Sequence, residues 1–160
     1  MKNFLGLFAV FFFLCSSSAY AADTILWKCS YSHCQEVRVS PTKPDTYGCP
    51  FAVGVNNSGK HSWQQVKAAP IGSVFVLKCG HTGCSVISVS DTSPSHNGCR
   101  SPYFFNHGWN FIKTAPAGTK FTWKCGYLDC NKIVSSTSAP VVQGCFSKYA
   151  SGAIHSFVLQ

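Results

Sequence analysis

Acidic side chains are scarce in this chain: five Asp and Glu stand among 160 residues, against 13 Lys and Arg. They occur singly and no pair of them recurs along the sequence. Paired carboxylates tuned for acid and base roles are therefore missing, which argues against hydrolysis by that route. There is also no nucleophile elbow and no phosphate-cradling glycine loop. The expectation is a protein that is not an enzyme. Sustained helical periodicity is absent outside the N-terminus, and so is any second long apolar run. The positive residues never stand two together, so the formal net charge of +8 is spread thinly. A basic surface can draw nucleic acid, anionic lipid or acidic glycan from a distance, but scattered charge makes nucleic acid the weakest of the expected partners. With 46% apolar and 11% charged residues, the composition is that of a folded chain and not of a disordered tail.

The one long apolar run lies at the start. Lys2 precedes Phe4 to Leu14, three serines follow, and Ala19-Tyr20-Ala21 has the small-x-small form that signal peptidase cuts. Residues 1–21 are read as a secretory signal cleaved near Ala21, and the run is too short to span a membrane. No transmembrane segment is expected after cleavage. The expected location is the periplasm or the cell exterior.

What the sequence has in abundance is a recurring cysteine pattern. Trp27-Lys28-Cys29-x4-Cys34, Leu77-Lys78-Cys79-x4-Cys84 and Trp123-Lys124-Cys125-x4-Cys130 are each followed by a Gly-Cys pair, Gly48-Cys49, Gly98-Cys99 and Gly144-Cys145. Between the second and third cysteines the copies match without a gap, with Val37, Ile87 and Ile133, then Ser40, Ser90 and Ser136, then Pro44, Pro94 and Pro140 in register. They diverge after the third cysteine and realign on His61-Ser62-Trp63, His107-Gly108-Trp109 and His155-Ser156-Phe157. Such a period implies one backbone path used three times. The units are placed at 22–72, 73–118 and 119–160, with Ala69-Pro70-Ile71-Gly72 and Ala115-Pro116-Ala117-Gly118 as turns at the boundaries.

Each unit reads as β-rich. Val74-Phe75-Val76-Leu77 and Lys120-Phe121-Thr122-Trp123 enter the Cys-x4-Cys as strands, Glu36 to Val39 and Ser85 to Val89 leave it, and a third strand follows the histidine. The fold class is all-β: three tandem three-stranded units, each stabilised by metal or disulfides, because units this small seldom hold a core unaided. The tryptophans beside the cysteines are expected to form the small core of each unit. His33, His81 and His96, which recur less regularly, are expected at the surface, and Tyr103-Phe104-Phe105 in a variable loop as a contact patch.

Cys29, Cys34, Cys49 and His61 together supply the ligand types of a closed structural zinc site, in which three sulfurs and one imidazole leave no position for water. The set recurs as Cys79, Cys84, Cys99 and His107, and as Cys125, Cys130, Cys145 and His155. Up to three zinc ions would account for the odd number of cysteines after the leader, for the recurring histidine, and for the stability of small units. The pattern Lys-Cys…Cys, a Ser/Thr/Pro loop, Gly48-Cys49-Pro50 and His-x-Trp resembles that of small bacterial and phage zinc-ribbon-like domains, with four residues between the first pair where those domains usually have two. The resemblance implies zinc bound by the three cysteines and the histidine of each unit. Disulfides across the Cys-x4-Cys turns are the competing arrangement in an exported chain, leaving the third cysteines to pair between units or chains. A redox role is the third alternative.

These features together suggest an exported binding or scaffold protein acting on an unidentified protein or surface polymer, its three units multiplying weak contacts. Specificity is sought in the loops Pro50 to Lys60, Arg100 to Asn106 and Phe146 to Ile154. The alternatives are periplasmic metal buffering and a disulfide-stabilised adhesion or effector module.

Overall fold

The computed structural model describes residues 23–52, 59–149 and 155–160. The expected signal segment lies outside the described residues, as do parts of the first and third variable loops. Nine strands are described: β1 Thr24–Cys29, β2 Val37–Ser40, β3 Trp63–Ala69, β4 Ser73–Cys79, β5 Ile87–Ser90, β6 Trp109–Pro116, β7 Phe121–Cys125, β8 Ile133–Ser136 and β9 Phe157–Leu159. No described helix is long and apolar enough to cross a membrane.

The strands form three three-stranded antiparallel sheets ordered β2-β1-β3, β5-β4-β6 and β8-β7-β9. The all-β architecture expected from the repeat is therefore the architecture found, with the strand entering the cysteine pair at the centre of each sheet. The β1–β3 ladder shifts register between Leu26 and Trp27, and the β4–β6 ladder shifts between Val76 and Leu77. The extra residues, Val66 and Ile112, bulge outward and stay exposed. Between sheets, Ser73 N–H donates to Pro70 O, and Gly72 carries the positive φ of 82° that a type II turn requires at its third position. Thr119, Pro116 and Gly118 repeat this turn.

The central strands explain how the sheets associate. Side chains alternate across a strand, and in β1 the adjacent Leu26 and Trp27 are both apolar and buried, so the first sheet has two faces to bury. Trp27 and Cys29 point to one face, where they pack with Cys34, Cys49 and Trp63. Leu26 points to the other, with Val37 and Ala69, and there they meet Phe75, Leu77, Cys79, Cys84 and Trp109 of the second sheet. The second sheet repeats the arrangement: its other face, with Val76 and Ile87, packs on Phe121, Trp123, Cys125, Cys145 and Phe157 of the third. The sheets thus stack front to back, each cysteine-bearing face of the second and third lying on the plain face of the sheet before it.

This corrects the expectation of a private tryptophan core in each unit. Trp109 and Trp123 belong to cores shared with the preceding sheet, and only Trp27 and Trp63 pack within their own unit. The stack then ends in a polar face. Thr122 stands where Leu26 and Val76 stand earlier, Ser135 where Val39 and Val89 stand, and Ile133 is left 59% exposed. A face of this kind suits contact with water, as the polar outer faces of repeat arrays do.

The edge strand β2 is closed by the next unit's Ser/Thr/Pro loop. Its outward Val39 N–H donates to Ser93 Oγ at 3.0 Å, and its Val37 N–H lies 3.5 Å from His96 Nε2. His96 also sits 3.3 Å from Glu36, which pairs with Arg38 at 2.8 Å. His96 is therefore half-buried between units and not a plain surface residue; His33 is exposed as expected, and His81 is half-buried against Phe104. Capping an edge in this way removes a template for unwanted pairing.

Candidate metal centres

Four segments of each unit converge on one point. The first cysteine ends the central strand, and its N–H donates to the carbonyl of Glu36, Val86 or Lys132, which holds the base of the turn. The second cysteine closes that turn through its N–H to the carbonyl of Tyr31, His81 or Tyr127. The third follows a glycine in each copy, Gly48, Gly98 or Gly144, with φ of 94°, 85° and 83°. A Cβ at these glycines would meet nothing within 4 Å, so backbone conformation and not space selects glycine there. The histidine lies two residues before the outer strand, its N–H bonded to the carbonyl of Thr46, His96 or Val142. The next residue's carbonyl accepts from the N–H just past the first cysteine, as in Ser30 to Ser62, Gly80 to Gly108 and Gly126 to Ser156.

The structure brings together Cys29, Cys34, Cys49 and His61; Cys79, Cys84, Cys99 and His107; and Cys125, Cys130, Cys145 and His155, with one donor atom from each residue lying within 4.8 Å of the others in its set. The first and third sulfurs are separated by 4.0, 3.8 and 4.0 Å in the three units. The second sulfur lies 3.5, 3.5 and 3.3 Å from the histidine Nδ1. A tetrahedron with metal–sulfur bonds of about 2.3 Å and metal–nitrogen bonds of about 2.0 Å has S···S edges of about 3.8 Å and S···N edges of about 3.5 Å. The first-to-third sulfur and the second-sulfur-to-imidazole separations match those edges, and each set could hold a metal ion. The nine described cysteines are free thiols, with first-to-third sulfur separations about twice the ~2.05 Å of a disulfide bond.

Burial and hydrogen bonding prepare these groups as ligands. Backbone N–H groups two residues on, at Glu36, Val86 and Lys132, donate to the second cysteine sulfur of each unit and favour its thiolate. Burial drives Cys34 strongly upward all the same, and pushes Cys79 up to about 11 and Cys145 upward. Cys84 is drawn downward against the effect of burial, by the N–H groups of Val86 and Arg100 and by its neighbouring thiols. Cys130 is drawn downward chiefly by the Lys132 N–H. Three thiols facing one another cannot all ionise without a cation between them, and a divalent ion supplies the compensating charge. Burial lowers the His61 and His107 imidazoles, keeping them in the neutral form that ligates. Each ring also packs on the aromatic two residues on, with centroids 4.9, 4.6 and 5.3 Å apart for His61–Trp63, His107–Trp109 and His155–Phe157.

The variable loop of the second unit carries Tyr103, Phe104 and Phe105 to the surface, as expected. Ser93 and His96 are working residues that the repeat hides, since no other copy has a histidine at that position and their partners lie in a different unit. No family model matches the chain, and no curated protein and no solved structure matches it. Its three tandem three-stranded antiparallel sheets, each with a Cys3His cluster, fit a zinc-ribbon-like repeat.

Proposed function

We propose that the chain is an exported, non-enzymatic binding scaffold of three zinc-ribbon-like units, in which three structural zinc ions hold a rigid stack that presents variable loops to a protein or surface polymer. The observation that carries this reading is the threefold Cys3His geometry with edges of tetrahedral length. Zinc supplies folding free energy in such closed sites and leaves no open position for a reacting water. Cys79, Cys84, Cys125 and Cys145 are also members of the cores between sheets, so losing the ion would loosen the stacking as well as the unit. This favours a structural ion over a stored one.

The test is intact mass of the native protein with and without chelator and thiol alkylation. Three zinc ions, nine thiols alkylated after chelation and loss of β-structure on chelation are the expected results. Protected thiols in multiples of two with no metal would replace this reading by a disulfide framework. A fold that survives chelation with reversible metal uptake would replace it by metal storage.

A further inference from the structure

A groove of about 970 Å³ runs between the first and second units. Tyr47 and Phe51 line it from the first unit, and Tyr103, Phe104 and Phe105 from the second. These rings are not packed away: Tyr47 is 64%, Tyr103 79% and Phe105 92% exposed. A monomeric surface rarely leaves so many large rings together without an occupant.

Three observations narrow the occupant. First, Arg38, the one Lys or Arg among the described lining residues, is already paired with Glu36 at 2.8 Å, so a polyanion finds little charge there to neutralise. Second, β2 offers no open edge to a peptide strand, because its outward N–H groups face Ser93 and His96. Main-chain pairing of the kind that binds extended peptides is therefore closed. Third, beyond the Arg38–Glu36 pair the lining is ring faces, including the imidazoles of His33, His81 and His96, interleaved with the hydrogen-bonding groups of Gln35, Asn106 and the tyrosine hydroxyls. That combination suits a ligand with apolar C–H faces and equatorial hydroxyls or amides, which is the chemistry of a pyranose ring.

Each unit exposes rings after its third cysteine. The third unit exposes Phe146 and Tyr149 after its third cysteine, as the first exposes Phe51 and the second Tyr103 to Phe105. Sheets packed face to face lie about 10 Å apart, a spacing close to the disaccharide repeat of an extended β-linked chain. We infer that the groove forms a binding site for a neutral β-linked polysaccharide, with Tyr103 and Phe105 as its stacking platform and Phe104 braced on His81 at a centroid distance of 3.9 Å. The inference rests on the reading of the chain as a binding scaffold and names the polymer.

The test is titration of the purified metal-bound chain with chitohexaose and with cellohexaose, followed by calorimetry or by chemical-shift perturbation. Heparin hexasaccharide and a twelve-residue oligothymidylate serve as polyanion probes. Binding of at least one neutral hexasaccharide is expected, weakened about tenfold by Tyr103→Ala and by Phe105→Ala, the effect of losing one stacking ring. Ile71→Ala, an exposed apolar change in the turn between sheets, should leave it unaltered. The inference is overturned if neither neutral sugar binds, if the ring substitutions have no more effect than Ile71→Ala, or if only the polyanions bind. Zinc content is measured on the same samples, so failure of the sugar titration with three zinc ions present sinks this inference alone.

Discussion

Phe75→Ala tests the stacking most directly. Phe75 is 0% exposed and lies in the core that joins Leu26, Val37 and Ala69 of the first unit to the second. A buried ring of roughly 150 Å² at about 25 cal/mol per Å² is worth ~4 kcal/mol. That value falls within the ~3–5 kcal/mol range for Phe→Ala in cores. Because the ring is shared, the loss should be felt on both sides of the junction, as a nearest-neighbour term is in repeat arrays. Native-state hydrogen exchange on the metal-bound protein is the assay, with guanidinium unfolding to set the scale. Amides of β1 and β2 should lose protection together with those of β4, and the denaturant midpoint should fall. Loss of protection confined to β4, β5 and β6 would refute the shared core, and so would a total cost under about 1 kcal/mol.

Three further outcomes follow from the same geometry. Gly98→Ala should cost about 1–2 kcal/mol, since a side chain is forced to adopt φ of 85°, and should weaken zinc at the second cluster while the first and third stay filled, as read by native mass spectrometry. His96→Ala should destabilise by about 1 kcal/mol through the uncapped Val37 N–H, seen as faster exchange at Val37 with all three ions retained. For the metal-free chain, the folded His61 and His107 lie below the usual 6.5, so their contribution is present above that value and is lost as pH falls. The folded Cys79 lies above the usual 9.0, so its contribution is present below 9.0 and is lost as pH rises through about 11. Residual structure after chelation, followed by circular dichroism under reducing conditions, should therefore be greatest between about pH 7 and 9. A monotonic rise or fall from below pH 6.5 to above pH 11 would contradict the assignment.

Much of the centre was legible because the chain repeats itself. Comparing the three copies isolates the Cys-x4-Cys pair, the Gly-Cys and the His-x-aromatic as the unvarying parts, and a local turn, a positive-φ glycine and a strand start are short-range features that residues encode directly. The choice between metal and disulfide was less legible, since spacing along the chain does not give the distance between sulfurs. The tertiary structure sets the first and third sulfurs 3.8 to 4.0 Å apart and aims each histidine Nδ1 at the second sulfur.

The sequence alone determined the three units, their strands, and which four residues of each have the chemistry to share an ion. Only the tertiary structure decided how the units combine. Leu26 and Trp27 are adjacent and both apolar, so the pattern says that both faces of the first sheet are buried without saying by what. The covering face comes from residues some fifty positions away, and the two caps on β2, Ser93 and His96, differ from their counterparts in the other copies because each junction has its own neighbours. Contacts between repeats depend on what differs among the copies, and comparison of the copies reveals only what they share.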